Sequence, residues 1–215
     1  MKPIARLTVA GAVAAIVLST LGAGAFDIPQ DLPARKPALW ESVTTGMQGP
    51  LQIKHVKRYC LDLRADRAFH ESYVLGRELS VIYEDVGCEQ PKLALSANVM
   101  SGEMICRTNS AEDAETAGKD FRWTATFKGD TEVVIEEQNE ARDILFSGED
   151  HFVERQRWIG ECPADQKPGD MLDISVKTNG VETYKQPPSN ILEGLVIKRK
   201  LIKEAKEINE RLGPL

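Results

Sequence analysis

The stretch FRWTATF, residues 121–127, decides the fold class of this chain. Its odd-numbered positions are apolar and its even-numbered positions are polar, which places the apolar side chains on one face of a strand. The tripeptide KGD follows, and the strand-forming stretch TEVVIEE then occupies residues 131–137. This order predicts a β-hairpin of an antiparallel sheet with one face against a core.

The same alternation recurs along the chain and predicts further hairpins. In LALSANVM, residues 93–100, the odd positions are apolar, Ser101-Gly102 suits a turn, and EMICRT forms the returning strand. MLDISVKT and VETYK, residues 171–178 and 181–185, flank Asn179-Gly180, which favours a type I′ turn. Other strand patterns lie at 38–47, 53–63, 78–86, 144–146 and 152–159. Many short strands predict a mainly β domain, built as an antiparallel curved sheet, a sandwich or a partly closed barrel.

Two segments have helical character instead. Residues 65–75 are helix-like, with Asp66 as the predicted capping residue. From Leu192 to Leu212, apolar residues recur at helical spacing opposite a mixed Lys and Glu face, and Gly213-Pro214 ends the pattern. The predicted fold is therefore mainly β with one C-terminal α-helix, since nothing alternates in the βαβ manner of a parallel sheet.

Residues 1–25 are typical of a secretory signal peptide. Lys2 and Arg6 accompany the apolar run 7–21, and Ala23-Gly24-Ala25 matches the small-x-small cleavage pattern. The run is shorter than the roughly 20 apolar residues of a membrane-spanning helix. We expect cleavage near Ala25, with retention of the segment as a membrane anchor as the alternative.

The remaining chain divides into an extended leader at 26–37, a β domain at 38–188 and a helical tail at 189–215. The net charge is −6, and loss of the two signal-peptide cations makes the exported part more acidic. This charge argues against nucleic acid as a partner. We expect a periplasmic or secreted protein, in which the signal peptide or the tail helix would make any membrane contact.

All four cysteines, Cys60, Cys88, Cys106 and Cys162, lie in the exported part. An even number of cysteines in an oxidising compartment predicts two disulfides. Of the three pairings that four cysteines allow, we favour Cys88–Cys106 with Cys60–Cys162, because positions 88 and 106 flank one hairpin. The wide spacing lacks a C-x-x-C motif and does not favour zinc or a redox pair.

Two segments, RKPALWESVTTG at 35–46 and RWIGECP at 157–163, carry a family resemblance. The chain resembles a bacterial family of small exported proteins called domain of unknown function 3617, which opens with Pro-x-Leu-Trp-Glu and closes with aromatic-x-Gly-x-Cys. The matching residues are Pro37, Leu39, Trp40, Glu41, Thr45, Cys60, Cys88, Cys106, Trp158, Gly160 and Cys162. The resemblance covers residues 35–163 approximately. It implies an envelope location and a cysteine-braced β fold, and it implies no activity.

Catalytic and metal-binding patterns are sparse. The three histidines, His55, His70 and His151, do not lie at metal-ligand spacing. Neither a phosphate-binding glycine loop nor a G-x-S-x-G or S-x-x-K motif occurs, although Ser147 lies near His151 in the sequence. The acidic loop lacks the order of a calcium-binding loop; its residues are Glu112, Asp113, Glu115 and Asp120. We therefore expect no catalytic residue, no metal and no cofactor.

Aromatic residues of the predicted strands are the candidates for a ligand site; they are Trp40, Trp123, Phe127 and Trp158. Such residues either fill a core or line a pocket. The first functional hypothesis is a non-catalytic exported protein that binds a small apolar or amphipathic ligand, or serves as an envelope component. The first alternative is a protein–protein interaction module that uses the tail helix, for example as a homodimer. The second alternative is an envelope hydrolase.

Overall fold

The computed structural model describes residue 26 and residues 28–81, 86–108, 117–142 and 148–212. In chain order its elements are β1 (Ala38–Gln48), β2 (Leu51–Leu61), α1 (Leu63–Val81), β3 (Val86–Cys88), β4 (Lys92–Ser96), β5 (Val99–Thr108), β6 (Gly118–Lys128), β7 (Glu132–Arg142), β8 (Gly148–Gly160), β9 (Asp170–Thr178), β10 (Val181–Glu182), β11 (Ser189–Asn190) and α2 (Ile191–Leu212). The predicted signal peptide and the strand predicted at 144–146 lie outside the described residues. Neither described helix is long and apolar enough to cross a membrane.

The described strands form one antiparallel sheet that does not close on itself. Their order is β10-β9-β2-β1-β8-β7-β6-β5-β3, with β11 beside β9 and β4 beside β5. The mainly β antiparallel fold with a C-terminal helix is therefore confirmed. Of the arrangements that the sequence allowed, a single open sheet is the one observed, and α1 adds a second helix inside the predicted β domain.

The core lies between α1 and the sheet face that this helix covers, which we call the inner face. Trp40 pairs in register with Tyr59 on β2 and with Trp158 on β8, so these three rings lie on the inner face. Phe127 and Trp123 of β6 are 2% and 3% exposed on the same face. The alternation in β6 that predicted a strand thus also selects which face is buried.

Helix α1 corrects two local predictions. Its N-terminal cap is Asp62, whose Oδ1 accepts a hydrogen bond of 2.7 Å from the Ala65 amide, and not Asp66. The helix continues to Val81, so the strand predicted from residue 78 is wrong for residues 78–81. Val74, Glu78 and Val81 are all buried at helical spacing, and this burial outweighs the local strand propensity of the segment.

The turn between β4 and β5 lies at Ala97-Asn98, and the turn predicted at Ser101-Gly102 is wrong. The Asn98 side chain donates a hydrogen bond of 2.8 Å to the Phe127 carbonyl oxygen, which fixes this turn beside the end of β6. Gly102 instead lies within β5, opposite Trp123 in register. Its missing side chain makes room for the Trp123 ring, which a Cβ at Gly102 would overlap.

Helix α2 packs on the outer side of α1. Ile191, Leu195 and Ile202 join Ala68 and Leu75 in one buried apolar cluster. Two ion pairs flank this cluster, Arg199 with Glu71 at 2.5 Å and Lys206 with Glu78 at 2.7 Å. The tail predicted as a separate segment is therefore docked on the β domain through α1.

The leader, predicted as extended, has a turn at residues 30–31 and is also part of the core. Ile28 is 4% exposed and packs with Val74, Met104 and Trp123. The Lys36 amide donates a hydrogen bond of 2.8 Å to the Asp130 carbonyl oxygen in the β6–β7 turn. The leader therefore contributes to the fold of the β domain.

Both cysteine pairs that the sequence favoured lie at disulfide distance. Cys88 and Cys106 face each other on β3 and β5, with a Cα–Cα distance of 4.0 Å. Cys60 at the end of β2 lies beside Cys162, which follows β8, with a Cα–Cα distance of 5.7 Å. Two disulfides indicate an oxidising location outside the cytoplasm.

Candidate functional site

The aromatic candidates from the sequence lie in the core and do not form one pocket. Trp40 is 0% exposed, and its indole Nε1 donates a hydrogen bond of 2.9 Å to the Lys36 carbonyl oxygen. The Trp158 ring is partly buried beneath the Lys36 ammonium, 3.8 Å away. Phe127 and Trp123 are buried under α1 and its flanking leader. The structure therefore gives these rings a packing role.

A small cavity lies where the inner face of β1, β2 and β8 meets the two helices, and we call it the sheet–helix chamber. Its volume is about 160 Å³. Its walls combine apolar side chains with hydroxyl groups and three charged groups. The lining residues are Ser42, Thr44, Lys57, Tyr59, Phe69, Ser72, Tyr73, Glu154, Met171, Ile191 and Lys198. A mixed lining of this kind is typical of a site that orients a polar group of a ligand.

Lys198 reaches the chamber from α2. Its Nζ donates hydrogen bonds to the Ser72 carbonyl oxygen at 3.0 Å and to Ser72 Oγ at 2.8 Å. The ammonium also lies next to Gly76, one turn further along α1, where a Cβ would be in ordinary van der Waals contact with Nζ at 3.5 Å. Burial lowers the pKa of Lys198, and the charge of Lys57 lowers it further.

Lys57 reaches the chamber from β2, where it lies opposite Ser42 on β1 and Asp173 on β9. Asp173 is engaged elsewhere, because its Oδ1 lies 2.8 Å from His55 Nε2 and its Oδ2 accepts a bond from the Gln186 amide. Within the part of the chain that the structure describes, neither Lys57 nor Lys198 has a carboxylate within ion-pair distance. Two cationic groups thus face one small cavity without a direct counter-ion.

Glu154 is the chamber's own carboxylate. Its Oε1 accepts hydrogen bonds from Ser42 Oγ at 2.7 Å and from Gln156 Nε2 at 2.8 Å. These bonds hold the carboxylate against the sheet, on the inner face of β8 opposite Thr44. The chamber therefore contains two cations, of which Lys198 is held by hydrogen bonds, and one fixed anion.

A buried polar network adjoins the chamber and shares Tyr59 with its wall. Arg35 of the leader forms an ion pair of 2.6 Å with Asp66 of α1, and its guanidinium also donates hydrogen bonds to Tyr59 and Gln156. The guanidinium lies 4.4 Å from the Phe69 ring centroid, a distance that permits a cation–π interaction. Burial raises the pKa of the Tyr59 hydroxyl far above its usual value. Tyr59 is therefore a neutral wall residue.

A second buried ion pair, Arg77 with Glu137, lies beside the chamber next to its wall residue Tyr73. Arg77 and Tyr73 of α1 both donate hydrogen bonds of 2.5 Å to Glu137 Oε2 on β7. The Arg77 guanidinium lies between the rings of Tyr73 and Trp123, 3.8 and 4.1 Å from their centroids. This arrangement fixes α1 over the sheet and leaves Arg77 no freedom to reach a ligand.

The opposite, outer face of the sheet has a larger and more open depression of about 520 Å³ across β4 to β8. Charges of both signs line it, and Arg122 pairs with Glu103 at 3.3 Å there. His151, a candidate from the sequence, also lies at this depression. Because positive and negative side chains lie together in this depression, it indicates the charge of a ligand less clearly than the chamber does.

The remaining sequence candidates have structural partners. His55 bonds to Asp173, and burial followed by the Lys57 charge lowers its pKa. His70 is a buried residue of α1, and this burial lowers its pKa to about 3. Asp120 pairs with Arg107 at 2.5 Å and with Arg142, so it is not free for calcium. The described residues contain no cluster of side chains suited to a metal ion. Ser147 lies outside the described residues, and so do the other three acidic-loop residues, Glu112, Asp113 and Glu115.

The sequence contained a signal for the chamber that the aromatic candidates obscured. Lys198 lies at helical spacing between Leu195 and Ile202, so it interrupts the buried stripe of α2. Lys57 has the same strand parity as Tyr59, which is buried. A lysine on an otherwise buried face is the pattern that marks this site.

Comparison with family models, with curated proteins and with solved structures gave no match.

Proposed function

We propose that this protein is an exported, non-catalytic binding protein that takes up a small amphipathic anion in the sheet–helix chamber. The observation that carries the proposal is the pair of lysines, Lys57 and Lys198, facing one cavity without a direct carboxylate partner in the described part of the chain. This refines the apolar or amphipathic ligand expected from the sequence.

Charge explains why an anion suits this site. Partly buried ammonium groups are poorly solvated, and two such groups close together repel each other. A carboxylate or similar anion between Lys57 and Lys198 would relieve both effects, because its negative charge attracts both ammonium groups. The Thr44 hydroxyl lines the same chamber and can donate to the anion, whereas the Ser42 hydroxyl donates to Glu154.

Size and lining restrict the rest of the ligand. A cavity of about 150 Å³ is large enough for benzene, and the chamber is of similar volume. Phe69, Met171 and Ile191 provide the apolar part of its wall. The chamber therefore fits a short aliphatic or aromatic acid, and it is too small for a long lipid chain.

The test is a binding and thermal-unfolding experiment with hexanoate and its neutral analogue hexanamide. Hexanoate at roughly 100 times its dissociation constant should stabilise the protein by about 2.7 kcal/mol, which corresponds to a rise in Tm of roughly 5 to 10 °C for a protein of this size. Hexanamide should bind much more weakly. Equal binding of both compounds, or of neither, would contradict the proposal.

A matched pair of variants locates the site. Lys57→Met removes one chamber cation and should weaken hexanoate binding severalfold, whereas Lys54→Met removes an exposed lysine from the same strand and should leave it unchanged. Calorimetric titration of both variants provides the comparison. Equal loss in both would place the binding outside the chamber.

The location rests on the signal-peptide pattern together with the two disulfides, which support a periplasmic or secreted protein after cleavage near Ala25. The likeness to domain of unknown function 3617 is a further proposal, carried by the residues quoted for it. N-terminal sequencing of the protein recovered from an osmotic-shock fraction tests the location; a mature chain that still begins at Met1 would contradict cleavage.

A second candidate function is protein–protein interaction through α2. Val196, Ile197 and Ile208 of this helix are 64%, 57% and 52% exposed, although the helix is docked on α1. Light scattering of the full chain and of an Ile197→Glu, Ile208→Glu variant tests the homodimer form of this proposal. A monomeric mass for the unmodified protein would remove it.

A further inference from the structure

The Lys198 amine has the surroundings of a reactive amine. It is held on α1 by Ser72, whose hydroxyl can donate to a neutral amine or accept from an ammonium. It also lines the sheet–helix chamber. A lysine beside another cation and partly removed from water is a recurring form of activated amine.

Two other charged groups of the chamber complement this amine. Lys57 is a hydrogen-bond donor and a positive charge, suited to the carboxylate of a ligand or to an oxygen that gains negative charge. Glu154 is a carboxylate that can accept a proton. Both line the same cavity as Lys198, so nucleophile, cation and base surround one small volume.

We propose that Lys198 captures short 2-oxo acids covalently, with Nζ forming an imine at the ketone carbon while Lys57 binds the carboxylate. This inference rests on the proposed function for its site and names the chemical class of the ligand. The chamber of about 160 Å³ has room for an acid of pyruvate size.

The chemistry requires no further reactant. The Nζ lone pair forms a C–N bond with the carbonyl carbon, and the carbonyl electrons move to oxygen. Both amine protons pass to that oxygen through Glu154, Lys57 or solvent, and the oxygen leaves as water. No atom is oxidised or reduced, and hydrolysis reverses the step.

The lowered pKa of Lys198 supports this role, because the neutral amine is the nucleophile. Lys57 and Glu154 on the sheet line the same chamber as Lys198, and so does Tyr73 of α1, whose hydroxyl donates to Glu137. Burial raises the pKa of Tyr73 well above its ordinary value, so Tyr73 stays neutral and Glu154 is the carboxylate of the chamber.

A purely structural role would also explain the hydrogen bonds of Lys198, since they join α2 to α1. The variant Lys198→Arg separates the two roles. Arginine keeps the charge and can donate to Ser72, but it cannot form an imine. Lys200→Arg is the matched control, because Lys200 is exposed two residues further along α2.

The experiment traps the imine in the disulfide-intact protein with pyruvate and sodium cyanoborohydride, followed by peptide mass mapping. We expect one dominant adduct, on Lys198, formed severalfold faster than any adduct on Lys200. Lys198→Arg should lose this adduct while its Tm stays close to that of the unmodified protein, and Lys200→Arg should retain it. Labelling spread evenly over exposed lysines would overturn the proposal.

Two further measurements keep the result interpretable if Lys198→Arg unfolds. Hexanoate should protect Lys198 of the unmodified protein from labelling and should not protect Lys200. Lys57→Met should slow labelling by pyruvate more than labelling by the uncharged aldehyde propanal. If hexanoate binds but no adduct is trapped, the imine proposal is overturned and the anion-binding function stands. If propanal forms the adduct but hexanoate does not bind, the anion-binding function is overturned and the reactivity of Lys198 stands.

Discussion

The Trp123 ring lies directly over Gly102 of the neighbouring strand, in the space that a side chain at Gly102 would occupy. The Arg77 guanidinium covers the ring from the other side, 4.1 Å from its centroid. Trp123 is therefore fixed between a glycine on β5 and a cation on α1. This contact couples the sheet to the helix that covers it.

Gly102→Ala should destabilise the protein because the added methyl group overlaps the Trp123 ring. Overpacking of this kind costs about 1 to 3 kcal/mol, and urea denaturation measures it. Gly148→Ala is the control, since a Cβ at Gly148 meets nothing within 4 Å. A change in Gly102→Ala no larger than in the control would show that the ring moves aside freely.

Arg35→Ala should be strongly destabilising, because it leaves the Asp66 carboxylate buried without its partner. Breaking a buried ion pair from one side costs about 3 to 5 kcal/mol. The double variant Arg35→Met, Asp66→Leu should recover part of this loss, since neither charge then remains. Chemical denaturation of the single and double variants gives the comparison.

The exposed pair Arg58 and Glu41, 2.9 Å apart, supplies a control for that experiment. An exposed ion pair contributes about 0 to 1 kcal/mol, so Arg58→Met should have a small effect. Similar losses for Arg35→Ala and Arg58→Met would mean that the leader does not anchor in the core.

The buried His70 should make the protein less stable in mild acid. Burial lowers its folded-state pKa to about 3 from 6.5, so the unfolded chain binds a proton at this position that the folded protein does not. The unfolding free energy should therefore decrease as the pH falls from 6.5 towards 3, and this contribution is fully present above pH 6.5. Denaturation at several pH values measures the slope.

His70→Asn should reduce that slope, whatever its effect on stability at neutral pH, because the titrating imidazole is gone. His151→Asn serves as the control, since His151 is an exposed histidine. An unchanged pH dependence in His70→Asn would show that other groups produce the acid sensitivity.

The two disulfides should differ in their contribution to stability. Cys60 and Cys162 are separated by 102 positions, and Cys88 and Cys106 by 18. In the loop-entropy description these closures stabilise by about 4.7 and 3 kcal/mol. Replacing Cys60 and Cys162 by alanine should therefore lower the unfolding free energy more than replacing the shorter-range pair, which thermal unfolding can rank.

The local parts of the fold follow from local patterns. The alternation in β6 and the Asn179-Gly180 turn predicted strand and hairpin correctly, because each depends on neighbouring residues only. Residues 78–81 were predicted as strand and are helical, because burial of Val81 beside Val74 is decided by packing against β5 and β6. Gly102 was predicted in a turn and lies in a strand, because its position is also decided by packing. Its partner Trp123 comes 21 positions later, so no local pattern shows the contact.

By itself the sequence determined the mainly β class, the C-terminal helix and the pattern of an export signal, since short-range periodicity and spacing carry all of these. It favoured one of three cysteine pairings, and the structure places those two pairs at disulfide distance. Only the tertiary structure decided that the aromatic residues form the core and that Lys57, Glu154 and Lys198 meet in one chamber. These three residues come from β2, β8 and α2, and their proximity depends on strand order and helix docking. Such long-range arrangement has no local signal beyond a charged residue on a buried face.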